Sequence, residues 1–159
     1  MGLRDRFGDD EMKLGVIAES GDETRVAIVP NSVPKLSKLG FEVSIESGAG
    51  RHSHHSDSQY EAKGASITTR EEAMACDVLI CIGAPDFSSL SEGQIVACVS
   101  DPFRHPERIR QAMDAKVTLM SMDTIPRRLS RAQAMDVNSS QDNLAGYKAV
   151  LMGAAHVPK

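Results

Sequence analysis

Apolar residues along this chain fall in short continuous runs, and from Lys13 onward these alternate with stretches of helical spacing. Residues 14–18 (LGVIA) read as the first buried strand and 41–46 (FEVSIE) as the second. A short pair, Ser66 and Ile67, is followed by the clearest strand, 77–82 (DVLICI). Two more follow, 94–100 (QIVACVS) and 116–122 (KVTLMSM). Between them lie SVPKLSKLG, SDSQYEAKGA, TREEAMA and PERIRQAMDA, each with the spacing of a short amphipathic helix. Gly40 and Gly64 stand where a helix C′ glycine belongs, and Ser56 or Asp57 where an N-cap does. Continuous apolar strands are what a sheet covered on both faces requires. Strands alternating with helices at this spacing imply parallel pairing with right-handed crossovers. The expected fold class is therefore α/β: an open, doubly wound parallel sheet in three layers, Rossmann-like or flavodoxin-like.

The same pattern divides the chain. Residues 1–12 are charged and read as a flexible arm, residues 13–141 as the α/β domain, and residues 142–159 as a C-terminal linking helix. Leu144, Tyr147, Val150, Leu151 and Ala154 keep helical spacing there, with no stop signal before Pro158. The expectation is a helix truncated before a nucleotide-binding domain.

At 159 residues the chain can bury one core. Its net charge of -4 comes from interspersed acids and bases, which offers nucleic acid no basic face. No apolar run approaches the roughly 18 residues of a membrane span, and the charged N-terminus lacks a signal peptide's apolar stretch. Cys76, Cys81 and Cys98 show no CxxC spacing and read as small core hydrophobes. His52, His54 and His55 lack a fourth ligand at any standard spacing, so no metal site is expected.

A dinucleotide fingerprint, GxGxxG, would open the first helix directly after the first strand. Here that strand leads into ESGDETR, with one glycine and three acids that repel a pyrophosphate. The lone Gly-x-Gly, Gly48-Ala49-Gly50, reads as a tight turn. The domain thus has no GxGxxG site of its own.

The densest chemistry lies in residues 126–146, PRRLSRAQAMDVNSSQDNLAG. Gln133, Asp136 and Ser139 recur every third residue and converge on one side if the segment turns helically. Such groups recognise a carboxamide: Gln and Ser donate and accept, Asp accepts from the NH2, and Arg donates to the oxygen. They equally describe a capped, salt-bridged loop that ties the sheet to the last helix, and residue types alone leave both readings open.

Ser130-Arg131-Ala132-Gln133, Met135-Asp136, Ser139-Ser140-Gln141 and the run from Asn143 to Ala149 (NLAGYKA) closely resemble the signature loop of proton-translocating NAD(P) transhydrogenase alpha subunits. The opening agrees too, with Glu23-Thr24-Arg25-Val26-Ala27, Pro30, Leu39-Gly40-Phe41 and the run from Glu46 to Gly50. The resemblance covers about residues 13 to 156 and implies the amino-terminal part of such a subunit. In that family the module pairs with a Rossmann domain, NAD(H) lies between them, and hydride passes to NADP(H) on another domain or subunit. Carried over, Gln133, Asp136, Ser139 and Ser140 belong to the nicotinamide loop, with either Arg127 or Arg128. The implied cofactor is NAD, shared with the Rossmann domain. The implied partners are that domain, the NADP-binding and membrane subunits, and a second copy in a homodimer. The implied location is cytoplasmic, peripheral at the inner membrane through the partner subunits.

Alanine dehydrogenase shares this architecture. It uses an arginine after the first strand, which Arg25 fits, and a lysine where this chain has Cys81. A thiol cannot replace an ammonium as electrophile. A non-catalytic binding or dimerisation module is the remaining alternative.

Overall fold

The computed structural model describes residues 12–126 and 128–157. The arm read over residues 1–12 therefore lies outside the described residues except for Met12, which opens a strand; Arg127 also lies outside them.

Among the described residues six strands form one sheet: β1 (Met12–Val16), β2 (Phe41–Glu46), β3 (Ser66–Thr68), β4 (Val78–Gly83), β5 (Ile95–Val99) and β6 (Thr118–Ser121). All pairings are parallel, in the order β3-β2-β1-β4-β5-β6. That is the doubly wound Rossmann order, in which winding reverses between β1 and β4. β2 falls where the apolar run places it, whereas β1 begins two residues before its run. Its ladder starts at Met12↔Phe41 and passes through exposed Lys13, a polar position that an apolar pattern does not register. Ile17 and Ala18 leave the strand, although Ile17 is still buried.

The pleat sends alternate residues to opposite faces. Leu14, Val16, Val43, Ile45 and Val78 form one core with Val33 of α1 (Val33–Lys38) and Tyr60 of α2 (Asp57–Glu61). Leu79, Cys81, Val96 and Cys98 form the other with Ala73 of α3 (Arg70–Met74) and Ala112 of α4 (Pro106–Asp114). Two layers of helix thus flank the sheet, which was the expected class. Local signals set the helix ends. Thr69 and Glu72 exchange a capping box, with Thr69 Oγ1 accepting from the Glu72 amide at 3.2 Å and Glu72 Oε2 from the Thr69 amide at 3.0 Å. Gly40 (φ 92°) and Gly64 (φ 93°) take the left-handed position beyond α1 and α2. The last helix, α5 (Val137–His156), starts five residues before the linking helix read over residues 142–159 and is exposed from Ser139 to His156.

A switch-point cleft with a clasped rim

In open α/β sheets, ligands sit outside the carboxyl ends of the strands where winding reverses. Here that point lies between β1 and β4, and a cleft of about 890 Å³ opens there. Its floor is apolar, from Ile80, Cys81, Ala97 and Val99, and its polar groups come from residues 19–25, Ser53 and the start of α5. No helix follows β1 directly: residues 17–29 form an extended loop, and only then come a 3-10 turn, Pro30–Ser32, and α1. No helix N-terminus with its free amides therefore points into the cleft from β1.

Two of the three acids that looked hostile to a phosphate, Glu19 and Glu23, are used by the fold. Glu19 Oε1 accepts from the Ile82 amide at 2.5 Å and Oε2 from the Gly83 amide at 3.0 Å, tying the end of β1 to the end of β4. Glu46 Oε2 accepts from the Ala18 amide at 2.7 Å and from Arg70 Nη1 at 2.9 Å. Glu23 takes the fork of Arg25, Nε to Oε1 at 2.8 Å and Nη2 to Oε2 at 2.6 Å. The remaining donor, Arg25 Nη1, reaches Gln141 Oε1 on α5 at 2.8 Å.

The hydrogen bond from Arg25 holds the Glu23 carboxyl below its ordinary value of 4.5. A carboxyl lowered in the folded state stabilises above its unfolded pKa, and that contribution is lost as pH falls through the folded one. The pair is partly exposed, with side-chain accessibilities of 48% and 25%, so about 0.5 kcal/mol is expected. Urea denaturation of the native chain and of Glu23→Gln should show a small difference at pH 7 that vanishes under acid conditions. A difference that persists below the folded pKa would assign the effect to something other than this charge.

Beyond the ends of β5 and β6, Asp123 accepts from the Ser100 amide at 3.3 Å, the Asp101 amide at 3.0 Å and Ser121 Oγ at 2.6 Å. Its carbonyl accepts from Asn138 Nδ2 at 3.1 Å, which seats the first turn of α5. Asp136 is the N-cap of α5 and accepts from the Ser139 amide at 2.9 Å and Ser139 Oγ at 2.5 Å. Ser140 Oγ donates to the Asp136 carbonyl at 3.3 Å. Gln133 opens a 3-10 turn, Gln133–Met135, with its side chain exposed, and Arg128 is exposed as well. Buried Ala132 anchors this stretch.

The structure therefore gathers Asp136, Ser139 and Ser140 in one helical turn and sets Gln133 one short turn ahead. From this segment the cleft wall takes Val137, Asn138 and Gln141. Sequence reasoning singled out neither Gln141 nor Glu19 and Glu23 as structural partners. The one signal was Glu23 two residues before Arg25. Cys81 and Cys98 stand buried on adjacent strands; the hydrogen bond from Cys98, with burial, pushes the Cys81 thiol well up, so Cys81 is not a poised nucleophile.

Fold and cleft together define a doubly wound α/β domain whose ligand face lies at the β1/β4 switch point and carries no glycine-rich phosphate cradle. The chain belongs to the family described as "Alanine dehydrogenase/PNT, N-terminal domain", matched over residues 15–145. It is 34% identical over 147 residues to the NAD(P) transhydrogenase subunit alpha of Haemophilus influenzae, covering 90% of this chain and 28% of that protein. It is 36% identical over 146 residues to the NAD(P) transhydrogenase subunit alpha of Cereibacter sphaeroides, covering 88% of this chain and 28% of that one. The crystal structure of transhydrogenase from Sinorhizobium meliloti superposes with a TM-score of 0.87 at 38% identity, over 92% of this chain and 45% of that one. The chain thus spans less than half the length of these relatives. Among the described residues no helix is long and apolar enough to cross a membrane.

Proposed function

We propose that this chain supplies the nicotinamide-positioning part of an NAD(P) transhydrogenase alpha subunit. The observation that carries the reading is the segment 128–141, which sets Asn138 and Gln141 in the wall of the switch-point cleft and carries Gln133, Asp136, Ser139 and Ser140 on the same and adjoining turns. NAD(H), when bound together with a Rossmann domain, supplies the hydride that passes to NADP on another subunit. No acid, base or metal is asked of this chain; its residues contribute position and exclusion of water.

The donor set fits a carboxamide. The Gln133 side chain is exposed and offers both a carbonyl and an NH2. Ser139 Oγ donates to Asp136 and so keeps lone pairs to accept an amide NH2. Asp136 is a positioning residue in this scheme: it caps α5, orients Ser139 and braces the loop arginine, Arg127 or Arg128. Ser140 secures the same turn through the Asp136 carbonyl. In the whole enzyme the step is coupled to proton translocation. The subunit works as a homodimer on the cytoplasmic side, held peripherally at the inner membrane by its NADP-binding and membrane partners. An alanine dehydrogenase role fits less well, because the cleft floor carries the neutral thiol of Cys81 where that chemistry uses a lysine.

Calorimetric titration of NADH into the chain tests the reading. Submillimolar binding, weakened about tenfold by Gln133→Ala, is expected for the loss of one polar contact to the carboxamide. Binding that ignores Gln133→Ala would place the nucleotide elsewhere.

A further inference from the structure

We propose that Arg25 is a positioning residue that clasps Gln141 and so fixes the first turn of α5, with the loop before it, over the cleft. Its part in hydride transfer rests on the function proposed above; the clasp itself does not.

The helix needs such a device. From Ser139 to His156 every residue of α5 is exposed, so the helix is not held by an apolar seam along its length. Its attachments among the described residues include, at its first turns and the loop before them, buried Ala132, half-buried Val137 and Asn138, the bond from Asn138 Nδ2 to the Asp123 carbonyl, and the bond from Arg25 to Gln141. The last of these crosses the cleft mouth and joins positions 116 residues apart. Asp136 and Ser139 precede Gln141 on the same turns, so whatever fixes Gln141 fixes them too.

Arginine is the residue that can do this. Its planar fork is filled by Glu23 through Nε and Nη2, which sets the guanidinium plane, and Nη1 is then aimed at Gln141 Oε1. Glu23 is itself fixed, since its Oε1 also accepts the Arg25 backbone amide at 2.9 Å. A lysine at this position would keep the charge but would not hold both partners in one plane.

Amide hydrogen exchange of residues 141–147 in the 159-residue chain is the test. Gln141→Ala and Arg25→Ala should each speed exchange about fivefold to tenfold, as expected for a lost charge-assisted hydrogen bond at a partly exposed site. The double variant should exceed neither single one, because both remove the same contact. Gln141→Glu keeps the acceptor and should stay within about twofold of the native chain. Single variants with native exchange, or effects that multiply in the double variant, would overturn the clasp. NADH titration of the same proteins separates the two ideas. Faster exchange with unaltered NADH affinity upholds the clasp and counts against the loop as the nicotinamide site.

Discussion

Gly15→Ala should cost this domain about 3 kcal/mol of stability, at the upper end of what overpacking a core does. Gly15 lies mid-way along β1, a central strand, paired with Ser44 of β2 and Leu79 of β4. A Cβ there would stand 1.9 Å from the Ala73 carbonyl oxygen, 2.8 Å from its carbon and 3.2 Å from Cys76 Cβ. The first two are backbone atoms, which cannot rotate away as a side chain does. Relief requires α3 to lift off the sheet, opening the core that Ala73 shares with Ile17, Leu79 and Cys81. The lift would also carry off Arg70, whose Nη1 holds the Ala18 carbonyl at 3.1 Å where the cleft loop begins. Gly21→Ala is the control: with φ 67° and nothing within 4 Å of its Cβ, it meets only the left-handed backbone penalty of about 1 kcal/mol. Urea denaturation of the two variants measures the difference. Equal stabilities would mean that α3 does not rest on β1 as closely as the Ala73 contact requires.

How much of this was legible in the sequence differs by feature. β2 and the glycine-closed helices α1 and α2 were readable, because continuous apolar runs and C′ glycines are local signals. β1 slipped by two residues because Lys13 sits within the ladder and Ile17 is buried outside it. Which strand neighbours which was not readable, since parallel order is set by crossovers and not by any residue type. The segment 126–146 stood out by its density of hydrogen-bonding groups, and Asp136 proved to serve as a helix cap, one of the two readings left open. The rest of the site was hidden because its bonds are long-range. Glu19 meets backbone amides 63 and 64 positions away, and an amide carries no side-chain signature. The acids of the first loop suggested repulsion of an anion, yet Glu19 and Glu23 are what hold the cleft mouth together.

The second large effect concerns hydride transfer. Gln133 is exposed on the short turn that precedes α5, so its removal should leave folding intact while withdrawing a group proposed to orient the carboxamide. Misplacement of a reacting ring by about 1 Å costs on the order of a hundredfold in rate. Asp136→Ala should do comparable harm by a different route, since it frees Ser139 and removes a helix cap worth about 1 kcal/mol. In the first case stability stays native; in the second it falls with the rate.

The most direct measurement uses a chimera in which residues 13–156 of this chain replace the matching stretch of the Cereibacter sphaeroides subunit alpha, assayed with its partner subunits for hydride transfer from NADH to an oxidised NADP analogue. Turnover that drops about a hundredfold on Gln133→Ala, with native stability, is the predicted result. Turnover indifferent to Gln133→Ala would contradict the proposed role of this chain, as would a chimera that assembles and binds NADH yet transfers no hydride.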